Sequence, residues 1–311
     1  MMYLGEIISL FVALSWTIAA LSSEIGSRRL GVFVMNVWRM ALALLLSALL
    51  MWATLGSPWP VYAGQSAWLW LLASGVVGYF FGDWCLFNSY IIIGSRFGQL
   101  FMTLAPMFTA LFAWVMLGQQ LSFNSLLAMA VTLSGIIISI LGHDAHHHLS
   151  LNLPVKGVLY GIGAALGQGV GLVLSKIGVD HYIADVPADV LPSVIDYLPF
   201  ASNAIRCIAG LVCFSGWLFL SGHIDTFLPS MKDRKGLAAM VIAVFSGPFI
   251  GVGFSLMAVQ FTAAGIASTI MATTPILILL PSRWLFGQPV TFRNVIGAVV
   301  CLIGVSLFFL L

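Results

Sequence analysis

Long apolar runs alternate with short polar breaks along the whole chain. Each run is roughly 20 residues long, which is about the length an α-helix needs to cross a bilayer core of about 30 Å. Transmembrane β-strands would be shorter and would alternate apolar with polar positions. The pattern therefore predicts ten membrane-spanning helices, at Leu4 to Ser22, Phe33 to Leu55, Ala67 to Ser89, Phe97 to Leu117, Asn124 to Leu141, Pro154 to Gly178, Phe200 to Leu220, Gly236 to Val259, Gly265 to Phe286 and Phe292 to Leu311.

Composition supports an integral membrane protein. Of 311 residues, 61% are hydrophobic and 7% are charged, and the mean hydropathy is +1.08. A soluble domain of this size could not cover its surface with so few polar groups, so lipid must do so. We expect a multi-pass protein of the cell membrane, either the inner or the plasma membrane. The short basic cluster from Met231 to Lys235 is interpreted as a topology anchor at lipid headgroups, and no nucleic-acid partner is predicted.

An internal repeat organises the chain. The stretch from Pro106 to Gly135 recurs without gaps 169 residues later, from Pro275 to Gly304. Doubled hydrophobic units of this kind are typical of transporters, in which the binding site lies between the halves. Further matches, in chain order, are Gly78, Phe80 and Gly82 with Gly247, Phe249 and Gly251, then Asn36 and Arg39 with Asn203 and Arg206, and Ser23 to Gly26 with Ser175 to Gly178.

The repeat predicts the fold class and the domain organisation. We expect an all-α membrane protein of two five-helix repeats, at residues 1–142 and 154–311, joined by a His-rich linker at 143–153. An odd number of spans in each half means that the second half enters from the opposite face, so the two repeats should be inverted.

These features resemble the EamA branch of the drug/metabolite transporter superfamily over nearly the whole chain. The resemblance rests on two halves of five helices, an arginine early in the second helix of each (Arg39, Arg206) and a proline inside the fourth (Pro106, Pro275). A short turn and a Gly-rich fifth helix follow, although Gln119 and Gln288 replace the acid that is usual in that turn. The resemblance implies a permease for small metabolites that works without ATP hydrolysis, often in the export of amino acids or other solutes.

Charge distribution and family resemblance predict opposite orientations. Most bases fall in connections on one side of the predicted bundle, which we call the basic face. Under the positive-inside rule this face would be cytoplasmic and both termini would lie outside, whereas the resemblance implies termini inside. The basic face carries Arg28, Arg29, Arg96, Lys156, Lys232, Arg234, Lys235 and Arg293.

Charged residues inside predicted spans are the sharpest functional signal, because a charge in hydrocarbon is costly unless it is paired or hydrated. Arg39 and Asp83 should lie at similar depth on antiparallel neighbours and form an ion pair, shared with Glu24. The pair is explained by structural neutralisation, by substrate contact or by proton coupling through Asp83. In the second half, Lys176 matches Glu24 and Val252 matches Asp83, so Arg206 and Lys176 have no intramembrane acid. These two bases either face the central cavity and attract a carboxylate or extend to the interface.

Neutral polar residues and prolines complete the candidate site. Trp16 and Gln168 occupy matched positions and are expected at the cavity, although polar residues in membrane helices also bond neighbouring helices. Pro106 and Pro275 should kink the fourth and ninth spans, as hinges for alternating access or as static bends. Glycines at every fourth position in the sixth span, Gly163, Gly167 and Gly171, predict close helix packing. Other candidate solute contacts are Asn88, Gln99 and Thr103, with Ser268, Thr273 and Thr274 opposite.

No catalytic, metal or cofactor site is predicted. The His-rich segment His143 to His148 could hold a divalent ion, but a short polar linker is expected to be solvated. No phosphate-binding Gly-Lys-Ser/Thr loop or paired intramembrane acids are present, so an enzyme is not expected.

The sequence thus predicts a secondary-active transporter of a small metabolite, an amino acid or another carboxylate-bearing solute. It should work as a monomer by alternating access, with a proton as the candidate coupling ion. The alternatives are a multidrug or cation efflux permease and a non-transporting scaffold or sensor.

Overall fold

The computed structural model describes residues 3–118, 122–143, 149–151, 153–222, 224–262 and 264–310. The first half consists of helices that begin and end close to the predicted polar breaks. Its elements are α1 (Leu4–Leu30), α2 (Val32–Leu55), α3 (Gln65–Ser74), the π-helix π1 (Gly75–Asp83), α4 (Trp84–Ile93), α5 (Ser95–Met102), α6 (Ala105–Leu117) and α7 (Phe123–Ile140).

A short antiparallel pair of strands separates the halves, in which Leu141 pairs with Leu151. The strands are β1 (Leu141–His143) and β2 (Leu149–Leu151), and the segment 144–148 of the predicted His-rich linker lies outside the described residues. The second half is again helical. Its elements are α8 (Val155–Asp185), α9 (Leu191–Val194), α10 (Leu198–Leu220), α11 (Phe227–Ser230), α12 (Arg234–Val244), the π-helix π2 (Phe245–Phe249), α13 (Ile250–Phe261), α14 (Ala264–Met271), α15 (Thr274–Leu277), α16 (Leu279–Phe286) and α17 (Phe292–Leu310), with single 3-10 turns at Ile195–Tyr197 and Ile224–Thr226.

Seven helices, counted over the described residues, are long and apolar enough to cross a membrane. They coincide with the first seven predicted spans. The last three predicted spans contain helices that are shorter or divided, including the apolar stretches Thr274–Phe286 and Phe292–Leu307. Ten crossings therefore remain a prediction.

The two repeated prolines lie where helices break. Pro106 occupies the first turn of α6, directly after the break that follows α5, and Pro275 occupies the first turn of α15, after the end of α14. Proline is tolerated there because the first turn of a helix has no intrahelical acceptor for its missing N–H. Around Pro275 the Thr274 hydroxyl donates to the Met271 carbonyl at 3.0 Å, the carbonyl that an unbroken helix would bond through residue 275.

Matched positions also share backbone geometry. Gly118 and Gly287, which are 169 residues apart, both end a helix with φ of 65°. The two π-helices also lie at matched positions of the repeat, because π2 falls on the segment that matches the middle of π1. The glycines of these segments match in the repeat, but the sequence pattern did not predict π geometry. Pro248 inside π2 lacks an N–H, and a wider turn accommodates this loss.

The halves pack through close glycine contacts. A Cβ built on Gly167 of α8 would lie 2.6 Å from the Gly82 Cα, and one on Gly171 would lie 2.7 Å from the Gly78 Cα. The predicted glycine face of α8 is therefore packed directly on π1. On the other side α1 packs on α12, π2 and α13, which together make up the third predicted span of the second half. The first helix of each half therefore lies against the third predicted span of the other half.

The last helices of the two halves, α7 and α17, repeat one contact in both directions. A Cβ on Gly135 would lie 2.6 Å from the Cys301 nitrogen, and one on Gly304 would lie 2.5 Å from the Thr132 nitrogen. In the repeat Gly135 matches Gly304 and Thr132 matches Cys301. Without a hydrophobic driving force between helices in lipid, such close backbone approach is a main source of helix association.

Candidate functional site

A cavity of about 630 Å³ lies between the helices of both halves. Its volume is in the range of small-molecule sites, and its walls combine apolar and aromatic side chains with a few polar groups. The apolar wall includes Leu86, Phe87, Met102, Leu172, Met271 and Val305. The polar and indole side chains that reach it are Trp16, Ser23, Arg39, Asp83, Tyr90, Gln99, Thr103, Gln168, Ser268 and Thr274.

The charged centre of this cavity is an ion pair between Arg39 of α2 and Asp83 at the end of π1. The two side chains are only 12% and 5% exposed. The Arg39 Nε donates to the Asn36 Oδ1 at 3.2 Å, one turn earlier on the same helix. The guanidinium carbon lies 4.9 Å from the centre of the Phe87 ring. The protein thus holds a paired charge against an aromatic wall, where a solute could reach it.

Gln168 and Trp16, the matched pair predicted for the cavity, both line it. The Gln168 amide donates to the Asp83 Oδ1 at 3.0 Å and to the Gly78 carbonyl at 3.2 Å, so it fixes the carboxylate from the opposite half. Trp16 packs against Gly251 of α13. The repeat therefore brings both side chains to one chamber, although only Gln168 contacts the ion pair.

Gln99 and Thr103 lie on the cavity wall at α5. The Gln99 amide donates to the Tyr90 hydroxyl at 2.6 Å, and the Thr103 hydroxyl donates to the Leu100 carbonyl at 2.7 Å. Tyr90 and Phe87 were not among the predicted cavity residues. Helical spacing could have found both, because they follow Asp83 by seven and four residues and therefore share its helix face.

Asn88, a predicted solute contact, bonds within its own helix. Its amide donates to the Trp84 carbonyl at 2.7 Å, one turn back on α4, and it is outside the cavity wall. Thr273 is likewise outside that wall, and its hydroxyl donates to the Ile270 carbonyl at 2.7 Å. Such local bonds satisfy a polar side chain within its own helix, as the alternative interpretation of these residues required.

Glu24 does not share the Arg39–Asp83 pair, which corrects that prediction. Its side chain is fully buried near the end of α1, where its two oxygens have other partners. Arg28, four residues later on the same helix, donates to Oε1 at 2.8 Å, and the Ser95 N–H donates to Oε2 at 2.6 Å. Glu24 thereby joins α1 to the first turn of α5 at the basic face.

Lys176 is not at the cavity, contrary to one of the two interpretations of this residue. Its side chain is 57% exposed and its Nζ lies 3.0 Å from the Asp180 Oδ2, one turn later on α8. A lysine at this position extends toward the surface because its long stem can carry the charge out of the apolar interior.

Replacing Lys176 with Gln should leave transport unchanged. The pair with Asp180 is solvent-exposed, and such pairs contribute about 0–1 kcal/mol to stability. The measurement is a comparison of thermal midpoint and vesicle flux between the variant and the parent protein. A large loss of flux would show that this base acts on the solute after all.

Arg206 is also absent from the residues that line this cavity, so its contact with a solute carboxylate stays a prediction. Its guanidinium carbon lies 4.3 Å from the centre of the Tyr79 ring on π1. The Tyr79 hydroxyl donates to the Asn203 Oδ1, the residue that matches Asn36. Tyr79 therefore bonds the Asn203 oxygen, whereas in the first half the matched Asn36 oxygen accepts from Arg39.

No group of three or more His, Cys, Asp or Glu side chains that could hold a metal occurs within the described ranges. Away from the cavity, an ion pair joins Arg29 to Asp233, with the Arg29 Nη2 2.9 Å from the Asp233 Oδ1. Hydrogen bonds from Arg29 and from the Gly236 N–H lower the pKa of Asp233, which lies before α12 and caps it.

These features define a class of protein, an α-helical membrane protein whose two matched halves enclose a largely apolar cavity with a few polar groups. The sequence matches the model of the EamA-like transporter family over residues 3–141 and 155–310. The chain therefore belongs to the EamA-like transporter family, which confirms the predicted membership in the drug/metabolite transporter superfamily. This is a family of transporters rather than of enzymes, and its members act on small solutes in a membrane.

A solved structure described only as "Crystal structure of protein" has a TM-score of 0.60 and 16% sequence identity to the chain. The match covers 98% of this chain and 96% of the other, so the two proteins share a fold over nearly their whole length. No curated protein matches the sequence.

Proposed function

We propose that the protein is a secondary-active transporter that moves a small carboxylate-bearing solute, such as an amino acid, by alternating access between its two halves. The halves are residues 1–142 and 154–311. They form two inverted repeats that together cross the cell membrane ten times. One observation carries the proposal: an arginine whose guanidinium lines an apolar, aromatic cavity between the two halves.

Contacts between connections support the ten-crossing arrangement. If every predicted span crosses, alternate connections must lie on the same face. At the basic face Arg29 bonds Asp233, and the Arg96 Nη1 donates to the Pro289 carbonyl at 2.7 Å. At the opposite face the Gly64 N–H donates to the Asp185 Oδ2 at 2.9 Å. Each contact joins two connections that this topology assigns to one side.

Broken helices beside the cavity support alternating access. Pro106 and Pro275 both line the cavity, at matched breaks that divide the fourth and the ninth predicted spans. Non-helical backbone in a membrane protein is tolerated where it lines such a cavity. Helices broken in this way can bend at the break while each piece remains rigid, so one piece can move without unfolding the other.

The choice of a carboxylate rests on Arg39. Its Nε and Nη2 bond Asn36 and Asp83, and among the described residues its Nη1 donates to no protein acceptor. A guanidinium recognises a carboxylate through parallel N–H donors, and the surrounding Phe87 and Met102 offer contact to an apolar side chain of the solute.

The test is a screen of amino acids, organic acids and cationic drugs by thermal shift of the purified protein and by flux into vesicles. We expect stabilisation and flux with amino acids or organic acids, and loss of both in Arg39→Gln. Flux run with and without a pH gradient identifies a proton as coupling ion. A response restricted to cationic drugs would contradict the proposal, and the absence of all flux would favour a scaffold or sensor.

A further inference from the structure

The polar network around Asp83 contains an excess of positive charge. Arg39 of α2 is paired with the Asp83 carboxylate, and the guanidinium carbon of Arg206 on α10 lies 4.3 Å from the centre of the Tyr79 ring, four residues earlier on π1. The two arginines occupy matched positions in the two halves, whereas the second half has Val252 where the first has Asp83. Within this network there is thus one carboxylate, Asp83, for two guanidinium groups. A buried charge normally requires a counter-charge, so the unmatched arginine needs an explanation.

Arg206 is incompletely satisfied in the observed conformation. Its Nε is buried and has no hydrogen-bond partner. The reason is visible at Asn203, whose Oδ1 accepts from the Tyr79 hydroxyl, while in the first half the matched Asn36 accepts from the Arg39 Nε. The two halves therefore have the same Asn and Arg pair in different states. The Arg39 Nε donates to its asparagine, whereas the Arg206 Nε has no acceptor.

Both arginines lie beside the same π-helix, π1. The guanidinium carbons of Arg206 and Arg39 are 4.3 Å and 6.0 Å from the centre of the Tyr79 ring, and Asp83 follows Tyr79 by four residues. A Cβ built on Gly78 would lie 3.1 Å from the Arg206 Nη2, so the end of that arginine lies close against π1 at this glycine. Gln168 bonds both the Gly78 carbonyl and Asp83, and it bridges the two ends of this short path.

We propose that Asp83 changes partner from Arg39 to Arg206 when the carboxylate of a solute binds Arg39. The inference rests on the proposed function and adds a step to it. The empty site contains two guanidinium groups and one carboxylate, and the loaded site contains two of each. A solute carboxylate is then matched by a charge that the protein already holds, and Asp83 remains ionised throughout. Arg206 is a positioning residue in this scheme, because it acts on the solute only through Asp83.

The alternative step is protonation of Asp83. If Arg206 could not receive the displaced carboxylate, Asp83 would be left in an apolar wall and would have to take up a proton. Other titratable or charged groups near Asp83 are Tyr79 and Tyr90 on its own helical segment and Cys207 on α10, while Glu24 of α1 is engaged by Arg28 and Ser95. None of these supplies a positive charge, so Arg206 decides between partner exchange and protonation.

The experiment counts protons taken up when benzoate binds. Benzoate is a carboxylate with an aromatic body that suits the cavity wall, and benzamide is its uncharged control. Calorimetric titration at pH 7 in buffers of different ionisation enthalpy gives the number of protons bound with each ligand molecule. We expect benzoate but not benzamide to bind the parent protein, with proton uptake close to zero.

The variants separate the two steps. Arg206→Gln should bind benzoate more weakly and take up about one proton for each benzoate, because the displaced Asp83 has no counter-charge. Arg206→Lys keeps the charge and should behave like the parent. Lys176→Gln removes a positive charge from the same half without touching the network, so it should also behave like the parent.

Two results would overturn the inference. Uptake of about one proton by the parent protein would mean that Asp83 is protonated rather than transferred. Uptake close to zero by Arg206→Gln, with unchanged affinity, would mean that Arg206 is not the second partner. Failure of the parent protein to bind benzoate or any carboxylate in the screen would remove the proposed function as well, whereas a wrong proton count with intact binding would remove this step alone.

Discussion

Asp83→Asn should cause the largest loss among single substitutions at the cavity, both in stability and in transport. The variant leaves Arg39 beside the Phe87 ring and Arg206 beside the Tyr79 ring without a carboxylate between them. Removing one partner of a buried ion pair typically costs about 3–5 kcal/mol, because the remaining charge stays desolvated. The expected result is a much lower thermal midpoint in detergent and no carboxylate flux in vesicles.

A double substitution separates stability from function. Arg39→Gln combined with Asp83→Asn removes both charges of the pair and should recover much of the thermal midpoint, since a neutral pair of similar size has no uncompensated charge. It should not recover flux, because the guanidinium that binds the solute is gone. If flux returned in the double variant, Arg39 would have no role beyond neutralising Asp83.

Gly167→Val should have the second largest effect, through packing rather than charge. Gly167 lies on α8 against π1, where even a single Cβ would approach the Gly82 Cα to 2.6 Å. Overpacking of a well-packed interior costs about 1–3 kcal/mol, and here the opposing atoms belong to backbone, which cannot rotate away. The neighbouring Gln168 and Asp83 would be displaced with the helices, so both folded yield and flux should fall.

Gly216→Val provides the matched control. Gly216 is also inside a long helix, α10, and a Cβ built there would meet nothing within 4 Å. The same substitution should therefore change the thermal midpoint little. The thermal midpoints of both variants are measured by size-exclusion chromatography after heating. Equal decreases in the two midpoints would show that helix propensity, and not close packing, explains the glycine at position 167.

The sequence predicted most of the helical architecture because the apolar runs and the repeat are strong signals. Helix bounds followed the polar breaks, and the glycine spacing of α8 correctly indicated direct packing on a neighbouring helix. Ion pairing of Arg39 with Asp83 was also predictable, since two charges at similar depth on adjacent helices have few other ways to be satisfied.

Residue positions near helix ends were harder to predict, because depth along a helix does not determine direction around it. Glu24 and Lys176 occupy matched positions, yet each is satisfied by a residue one turn later on its own helix, Arg28 in one case and Asp180 in the other. Arg206 matches Arg39 in the repeat but packs on the Tyr79 ring and does not line the cavity. The π-helices had no recognisable pattern in the sequence, and they alter the rotation of Tyr79 and Asp83 relative to a regular helix.

Counterflow in vesicles tests the central claim most directly. Vesicles that contain the protein are loaded with an unlabelled carboxylate solute found in the screen, and uptake of the same solute in labelled form is followed from outside. Alternating access between the two halves predicts a transient accumulation of label above its equilibrium level, which Arg39→Gln abolishes and Lys176→Gln retains. Uptake that never exceeds equilibrium, or that persists in Arg39→Gln, would contradict transport through this cavity.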